Sequence, residues 1–303
     1  MRALQAIEKG YIFALLTICI WSGFIVISRV GGQSPLTPFD VAALRTVFAA
    51  AILLPWWLPR VLDSSKRKLP WYQSLIFALL AGVSYPLFAY GGFQYAPGNH
   101  GAVLIAGTLP FFTTLFALAL LREMPSFQRM LGLALIVSGV TTLFVAMMRG
   151  ASWESLPGDL MFLGASICWS LFAVLLRHWQ TRAFDVTLGV VAFSLLVYIP
   201  LYAAFLPKAL SQASWDDIAL QGIYQGGIVV CCAMWTFAKA TELLGAVRVA
   251  VMMSAVPVAG TLLAIAILGE VLTPASAIGL MLIFIGALVG ALAKARVILP
   301  VSP

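Results

Sequence analysis

Ten apolar runs, each about the length a bilayer demands, leave this 303-residue chain little to be except a bundle of membrane helices. A spanning helix needs about 20 mostly apolar residues. The qualifying runs are 10–30, 38–59, 71–95, 98–121, 127–148, 157–178, 185–207, 216–242, 245–268 and 274–294. Proline, glycine and charge punctuate them at Ser34-Pro35, Lys66-Arg67-Lys68, Pro97-Gly98, Pro157-Gly158 and Thr273-Pro274, as expected for tight connections. Only 10% of residues are charged against 62% hydrophobic; soluble domains carry roughly 25% charged residues. The expected class is an all-α membrane protein with ten transmembrane helices and no soluble domain between them. The first run is long enough to span and no small-x-small cleavage site follows it, so it reads as a retained helix.

Charge sets the orientation. Of 18 Lys and Arg, fourteen fall on the side that holds the N-terminus, three (Arg29, Arg149, Lys208) on the other, and Arg45 inside a run. The positive-inside bias places both termini in the cytoplasm, in an inner membrane of bacterial type. The net charge of +7 is spread over short connections rather than along one face, which argues against nucleic-acid binding. Cys19, Cys168, Cys231 and Cys232 lie in apolar runs with no CxxC spacing, so no metal or redox site is expected. No Gly-x-x-x-x-Gly-Lys-Ser/Thr loop and no His-Glu-x-x-His pair occurs, which disfavours an ATP-driven pump and a metalloprotease. No cofactor is called for.

The chain repeats itself. Gly10, Trp21-Ser22 and Arg29 match Gly158, Trp169-Ser170 and Arg177 at an offset of 148. Phe93, Ala96 and Gly101-Ala102-Val103 match Phe237, Ala240 and Gly245-Ala246-Val247 at 144, and Pro110, Glu123, Gly132 and Gly139 match Pro257, Glu270, Gly279 and Gly286 at 147. The colinear series divides the chain into 1–150 and 151–303. Five helices per half is an odd number, so the second half enters the membrane upside down. Inverted repeats of this kind are common in secondary transporters, where each half can adopt the other's conformation.

The same residues carry a resemblance. Trp-Ser in runs one and six, Arg45, Pro110 and Pro257, and Leu-x-Glu ahead of glycine-rich helices (Leu121-Arg122-Glu123 with Gly132 and Gly139; Leu268-Gly269-Glu270 with Gly279 and Gly286) resemble the EamA group of the drug/metabolite transporter superfamily over nearly the whole chain. Bacterial aromatic amino-acid exporters of that group are similar in size and layout. The resemblance implies ten helices, internal termini and metabolite export. One departure is Val190, which stands where the repeat would place a second Arg45.

Candidate substrate-binding residues follow from cost and position. A charge at membrane depth costs about 2.5–3.5 kcal/mol on insertion scales and usually faces protein or water; Arg45 either meets a substrate carboxylate or snorkels to the interface. Trp21 and Trp169 lie mid-run, away from the interfaces where Trp normally sits; they either face a central cavity or pack helices, with Ser22 and Ser170 allowing close approach. Tyr85, Tyr90 and Trp235 add aromatic surface, whereas Tyr95 and Tyr224 read as interface belt. Asn99 and His100 open a helix, where free N–H groups suit an anion or a cap. Pro110 and Pro257 remove helix hydrogen bonds and supply hinges. Lys239 and Glu242 form a surface pair. The expected cavity lies between the halves, lined by runs one, three, four, six, eight and nine, with runs five and ten as scaffold. Glycines at four- or seven-residue intervals in that scaffold suit tight packing or a contact between copies of the chain. The partners are thus a small-molecule substrate and the lipid bilayer. A membrane enzyme would need a cluster of catalytic side chains at one interface, and none is legible; a channel would show polar residues along one pore face.

The eleven Asp and Glu fall almost wholly at helix ends or in connections, with no midplane carboxylate to relay protons. Transport is expected to persist when an uncoupler collapses the proton gradient across a proteoliposome; flux that stops on uncoupler addition refutes this.

Overall fold

The structure, a computed structural model, describes residues 2–31, 34–96, 98–148, 153–253, 255–268 and 274–292. Those residues are helical or in short turns and contain no strand. Eleven helices order them: α1 (Arg2–Gly31), α2 (Pro38–Leu62), α3 (Trp71–Tyr95), α4 (98–121), α5 (Phe127–Met148), α6 (Leu156–His178), α7 (Ala183–Phe205), α8 (Trp215–Leu244), α9 (Ala246–Met253), α10 (Val256–Leu268) and α11 (Pro274–Leu292). Among the described residues eight helices, α1 to α8, are long and apolar enough to cross a membrane. The expected run 245–268 instead comprises α9 and α10, and α11 covers the described part of the last run. Pro257 accounts for the difference. It sits in the first turn of α10, where its missing N–H leaves no bond unmade, so the chain restarts a helix there rather than bending one.

Local chemistry sets the ends. Thr37 caps α2: its hydroxyl accepts from the Asp40 amide and Asp40 returns a bond to the Thr37 amide, with Pro38 in the first turn, a reciprocal box that satisfies otherwise orphaned donors. Ser214 caps α8 through the Asp217 amide. Gly245, at φ 87°, turns α8 into α9 in a backbone region that side chains resist. Helices α3, α4 and α8 each contain a π-helical stretch (Ala78–Ser84, Ala102–Gly107 and Gly222–Met234 among them), a widening that frequently marks functional positions.

The burial pattern is the inverse of a soluble protein's. Leu15, Leu54, Phe111, Phe205, Met281 and Phe284 are exposed, while Thr17, Asp40, Arg45, Ser166, Gln221 and Gln225 are buried. Lipid accepts the apolar exterior, and polar groups gather where protein can satisfy them. This is a multi-pass membrane protein. Inside the bundle α1 packs on α8 and α10, α6 packs on α3 and α4, and α2 packs on α7 and α8.

The glycines at 132, 139, 279 and 286 serve one interface within the chain. Helices α5 and α11 lie backbone to backbone: a Cβ on Gly139 would sit 2.6 Å from the Gly279 carbonyl oxygen, and one on Gly132 would sit 2.7 Å from that of Gly286. Gly290 completes the α11 face against Val251 of α9. Gly139→Val should therefore cost about 1–3 kcal/mol by overpacking, read as a lower unfolding temperature in detergent. Gly227→Val, whose Cβ would meet only the flexible tip of Ile52 at 3.2 Å, should cost much less; equal losses would refute the close approach.

Candidate functional site

Two cavities lie between the helices. The central one, about 40 Å³, is walled by Trp21, Phe24 and Ile25 of α1, Tyr85 and Phe93 of α3, Gly101, Ile105, Ala106 and Leu109 of α4, Trp169 of α6 and Val256 of α10. The second, about 390 Å³, opens at the end of the bundle where α1 leads into α2, between Ser28, Pro38, Val41, Tyr90, Phe93, Gln94 and Gln221. Phe93 borders both. Helix α8 reaches the wider cavity through Gln221 and contributes nothing to the central wall.

The two tryptophans meet. Their rings lie edge to face with centroids 5.2 Å apart, a favoured aromatic geometry. Trp169 also contacts Tyr85 at 4.7 Å, Phe172 at 5.1 Å and Phe237 at 5.5 Å, and Phe237 stacks on Trp21 at 5.2 Å. Phe237 and Phe172 are completely buried, so this cluster packs behind the Trp21 and Trp169 walls of the central cavity. The indole N–H of Trp169, only 3% exposed, has no hydrogen-bond partner among the described residues.

Arg45 does not snorkel. It is 2% exposed and donates from Nη1 to the Tyr90 hydroxyl at 3.4 Å, with its guanidinium 5.8 Å from the Tyr85 ring centre. Tyr90 donates onward to Gln225 Oε1 at 2.9 Å, and the Gln225 amide reaches Ser28 at 3.2 Å and Gln221 at 3.3 Å. This network ties α1, α2, α3 and α8 along the wall of the wider cavity. Arg45 and Val190 line one small void with Thr46, Gly82, Ser194 and Met234, so the two positions related by the sequence repeat border the same space.

Other expectations resolve differently. The Ser22 hydroxyl donates to the Ile18 carbonyl at 2.7 Å and that of Ser170 to the Leu109 carbonyl at 3.3 Å; both bond backbone and neither lines a cavity. Trp235 packs edge to face on Phe13 at 5.3 Å, away from both cavities. The hydroxyl of Tyr224 clamps the Ile20 carbonyl at 3.0 Å, a helix contact rather than a membrane-surface one. The side chain of Asn99 lies outside the described residues. Pro110 sits three residues beyond the π-helical stretch of α4. Lys239 pairs with Glu242 at 2.6 Å.

Sequence reasoning missed Asp159. Placed among acids at helix ends, it is 3% exposed and its Oδ1 lies 2.8 Å from His100 Nδ1, joining α4 to α6. Its Oδ2 has no hydrogen bond among the described residues. It also missed Phe93 and Phe237, which were legible as a matched pair in the repeat but not as walls of a site.

Residues 8–145 and 156–291 each match the model of the EamA-like transporter family. The chain belongs to that family. It is similar to an uncharacterized transporter of Clostridium kluyveri, 25% identical over 93% of each chain, and to the uncharacterized transporter YwfM of Bacillus subtilis, 25% identical over 92% of each. A solved crystal structure described only as that of a protein, 24% identical and covering 93% of this chain and 97% of its own, agrees with a TM-score of 0.69 and shares the fold. This EamA-like transporter thus sits in the drug/metabolite transporter superfamily.

Removing one member of a buried pair strands the other and costs about 3–5 kcal/mol, while replacing both is far milder. His100→Ala should lower the unfolding temperature sharply, and adding Asp159→Asn should recover most of the loss. A double variant no more stable than the single one refutes the pairing.

Proposed function

We propose that this EamA-like transporter is a secondary carrier working by alternating access, built from ten transmembrane helices as two inverted five-helix repeats, 1–150 and 151–303. It exports small amphipathic metabolites, aromatic amino acids among them, across an inner membrane of bacterial type, with both termini in the cytoplasm. The observation that carries this reading is the unequal state of two equivalent aromatics. Phe93 borders a wide opening at one end, while Phe237, its repeat partner, is buried in the aromatic cluster. Two halves that exchange conformations would open the Phe237 side and close the Phe93 side. A channel would need a path past both ends at once; the buried aromatic cluster around Phe237 stands against one.

The contacts support the same picture. Helix α1 packs on α8 and α10 as α6 packs on α3 and α4, which is how two halves related by an axis in the membrane plane would meet. On the positive-inside reading the open end faces outward and the Phe237 side faces the cytoplasm. The central cavity lies between the halves, and its walls of Trp21, Tyr85 and Trp169 suit a flat, apolar body. Its small volume requires the cavity to widen around cargo, which the wider space beyond Phe93 permits. Helices α5 and α11 act as scaffold, and Pro110 and Pro257 as the points about which α4 and the α9–α10 segment move.

Purified protein in liposomes loaded with unlabelled phenylalanine should take up labelled phenylalanine by saturable counterflow. Each of Trp21→Ala, Tyr85→Ala and Trp169→Ala should reduce it about tenfold, the worth of one good aromatic contact near 1.4 kcal/mol. Phe205→Ala, on the exposed surface, should change nothing. No exchange with any amino acid removes that substrate class and leaves the family assignment in place.

A further inference from the structure

The charge balance of the site points to a narrower class of cargo. Around the central cavity every wall residue is aromatic, aliphatic or glycine, and none is acidic. The wider cavity adds Ser28, Ser34, Tyr90, Gln94 and Gln221, again with no carboxylate. Behind the Tyr85 and Tyr90 walls stands one cation, Arg45, which among the described residues makes one long hydrogen bond and no ion pair. A guanidinium offers five N–H donors, and burying it without a counter-charge is expensive. The neighbouring acid on the same helix does not neutralise it as a partner. Asp40 is held by the Thr37 amide and hydroxyl, the Tyr202 hydroxyl and the Ala209 amide. Val190 stands at the repeat-related position, so there is a single cation beside the cavity rather than two. The indole N–H of Trp169, without a hydrogen-bond partner among the described residues, adds an unsatisfied donor on a residue of the cavity wall itself.

We infer that this site selects aromatic organic monocarboxylates, and that a substrate's ammonium group is dispensable to it. The inference rests on the carrier reading above and sharpens it. The anion supplies the counter-charge that Arg45 lacks and accepts from Trp169 Nε1, while the ring lies among Trp21, Phe24 and Tyr85. A zwitterion brings the same carboxylate together with an ammonium, which must be desolvated among central walls that offer it ring faces and no carboxylate. An organic amine brings that cost with no compensation and meets the field of Arg45 as well. Arg45 acts across one layer of tyrosines, so its role is electrostatic; Trp169 is the residue placed for direct contact.

Three solutes sharing one phenyl ring and chain length separate these cases: 3-phenylpropionate, phenylalanine and phenethylamine. Equilibrium dialysis of the labelled compounds against the full-length protein in detergent at pH 7.5 should rank them in that order. The anion should bind at least about tenfold more tightly than the amine, a gap near 1.4 kcal/mol. Arg45→Gln should narrow that gap, Arg45→Lys should keep it because the charge remains, and Trp169→Phe, which keeps a ring and loses the N–H, should weaken the anion more than the amine. Unfolding curves for each variant confirm that the measured protein is folded. Phenylalanine binding clearly more tightly than 3-phenylpropionate overturns the inference and leaves the carrier reading standing, as does an anion preference untouched in all three variants. Failure of every aromatic solute to bind the wild-type protein overturns both.

Discussion

In hydrocarbon, a polar group that finds no partner in the protein finds none at all. Everything in this molecule is arranged around that constraint. Backbone amides and carbonyls are spent inside helices; hydroxyls such as those of Thr46 and Thr187 bond the carbonyl one turn back, at 2.8 Å and 3.0 Å. Several polar residues that must be inside are drawn into a network running from Arg45 through Tyr90 and Gln225 to Ser28 and Gln221, and others into local pairs such as Thr17 with Thr236. Several buried side-chain atoms among the described residues still lack a partner, among them Thr113 Oγ1, Ser194 Oγ, Thr241 Oγ1, the second Asp159 oxygen and the Trp169 indole. Of these, the Trp169 indole belongs to a residue of the central cavity wall, and the lightly bonded Arg45 stands behind Tyr85.

The fold was the legible part. Length and hydropathy of the apolar runs placed seven of the eight long helices to within about three residues, because lipid demands the same length from each; α1 alone begins well before its run, at Arg2. The last part of the chain was less so: run 245–268 reads as unbroken by hydropathy, but Pro257 fits a helix start better than a helix middle. The glycines of α5 and α11 announced close packing without saying against what, since spacing gives a face and not its partner.

The site was legible through symmetry and illegible through burial. Trp21 and Trp169 could be paired because the repeat puts them at equivalent places, and they touch. Trp235 looked equally deep and lies elsewhere, because nothing in one helix's sequence says which way it is rotated. Asp159 looked like an ordinary acid in a first helical turn, and only the arrival of α4 beside α6 converts it into half of a buried pair with His100. Phe93 and Phe237 matched in the repeat yet differ in surroundings, because a sequence records equivalence of position and not the packing each position meets.

The difference between Arg45 and Val190 has a thermodynamic consequence for the proposed carrier. Two identical inverted halves would make the two faces of a carrier equivalent in energy, and an empty molecule would divide its time evenly between them. A single charge present in one half and absent from the other lifts that degeneracy. A bias of about 1.4 kcal/mol already holds roughly ten molecules on one side for each on the other. In a carrier of the proposed kind, one side chain out of register would thus give an otherwise reversible machine a resting posture, and with it a preferred side from which to wait for its cargo.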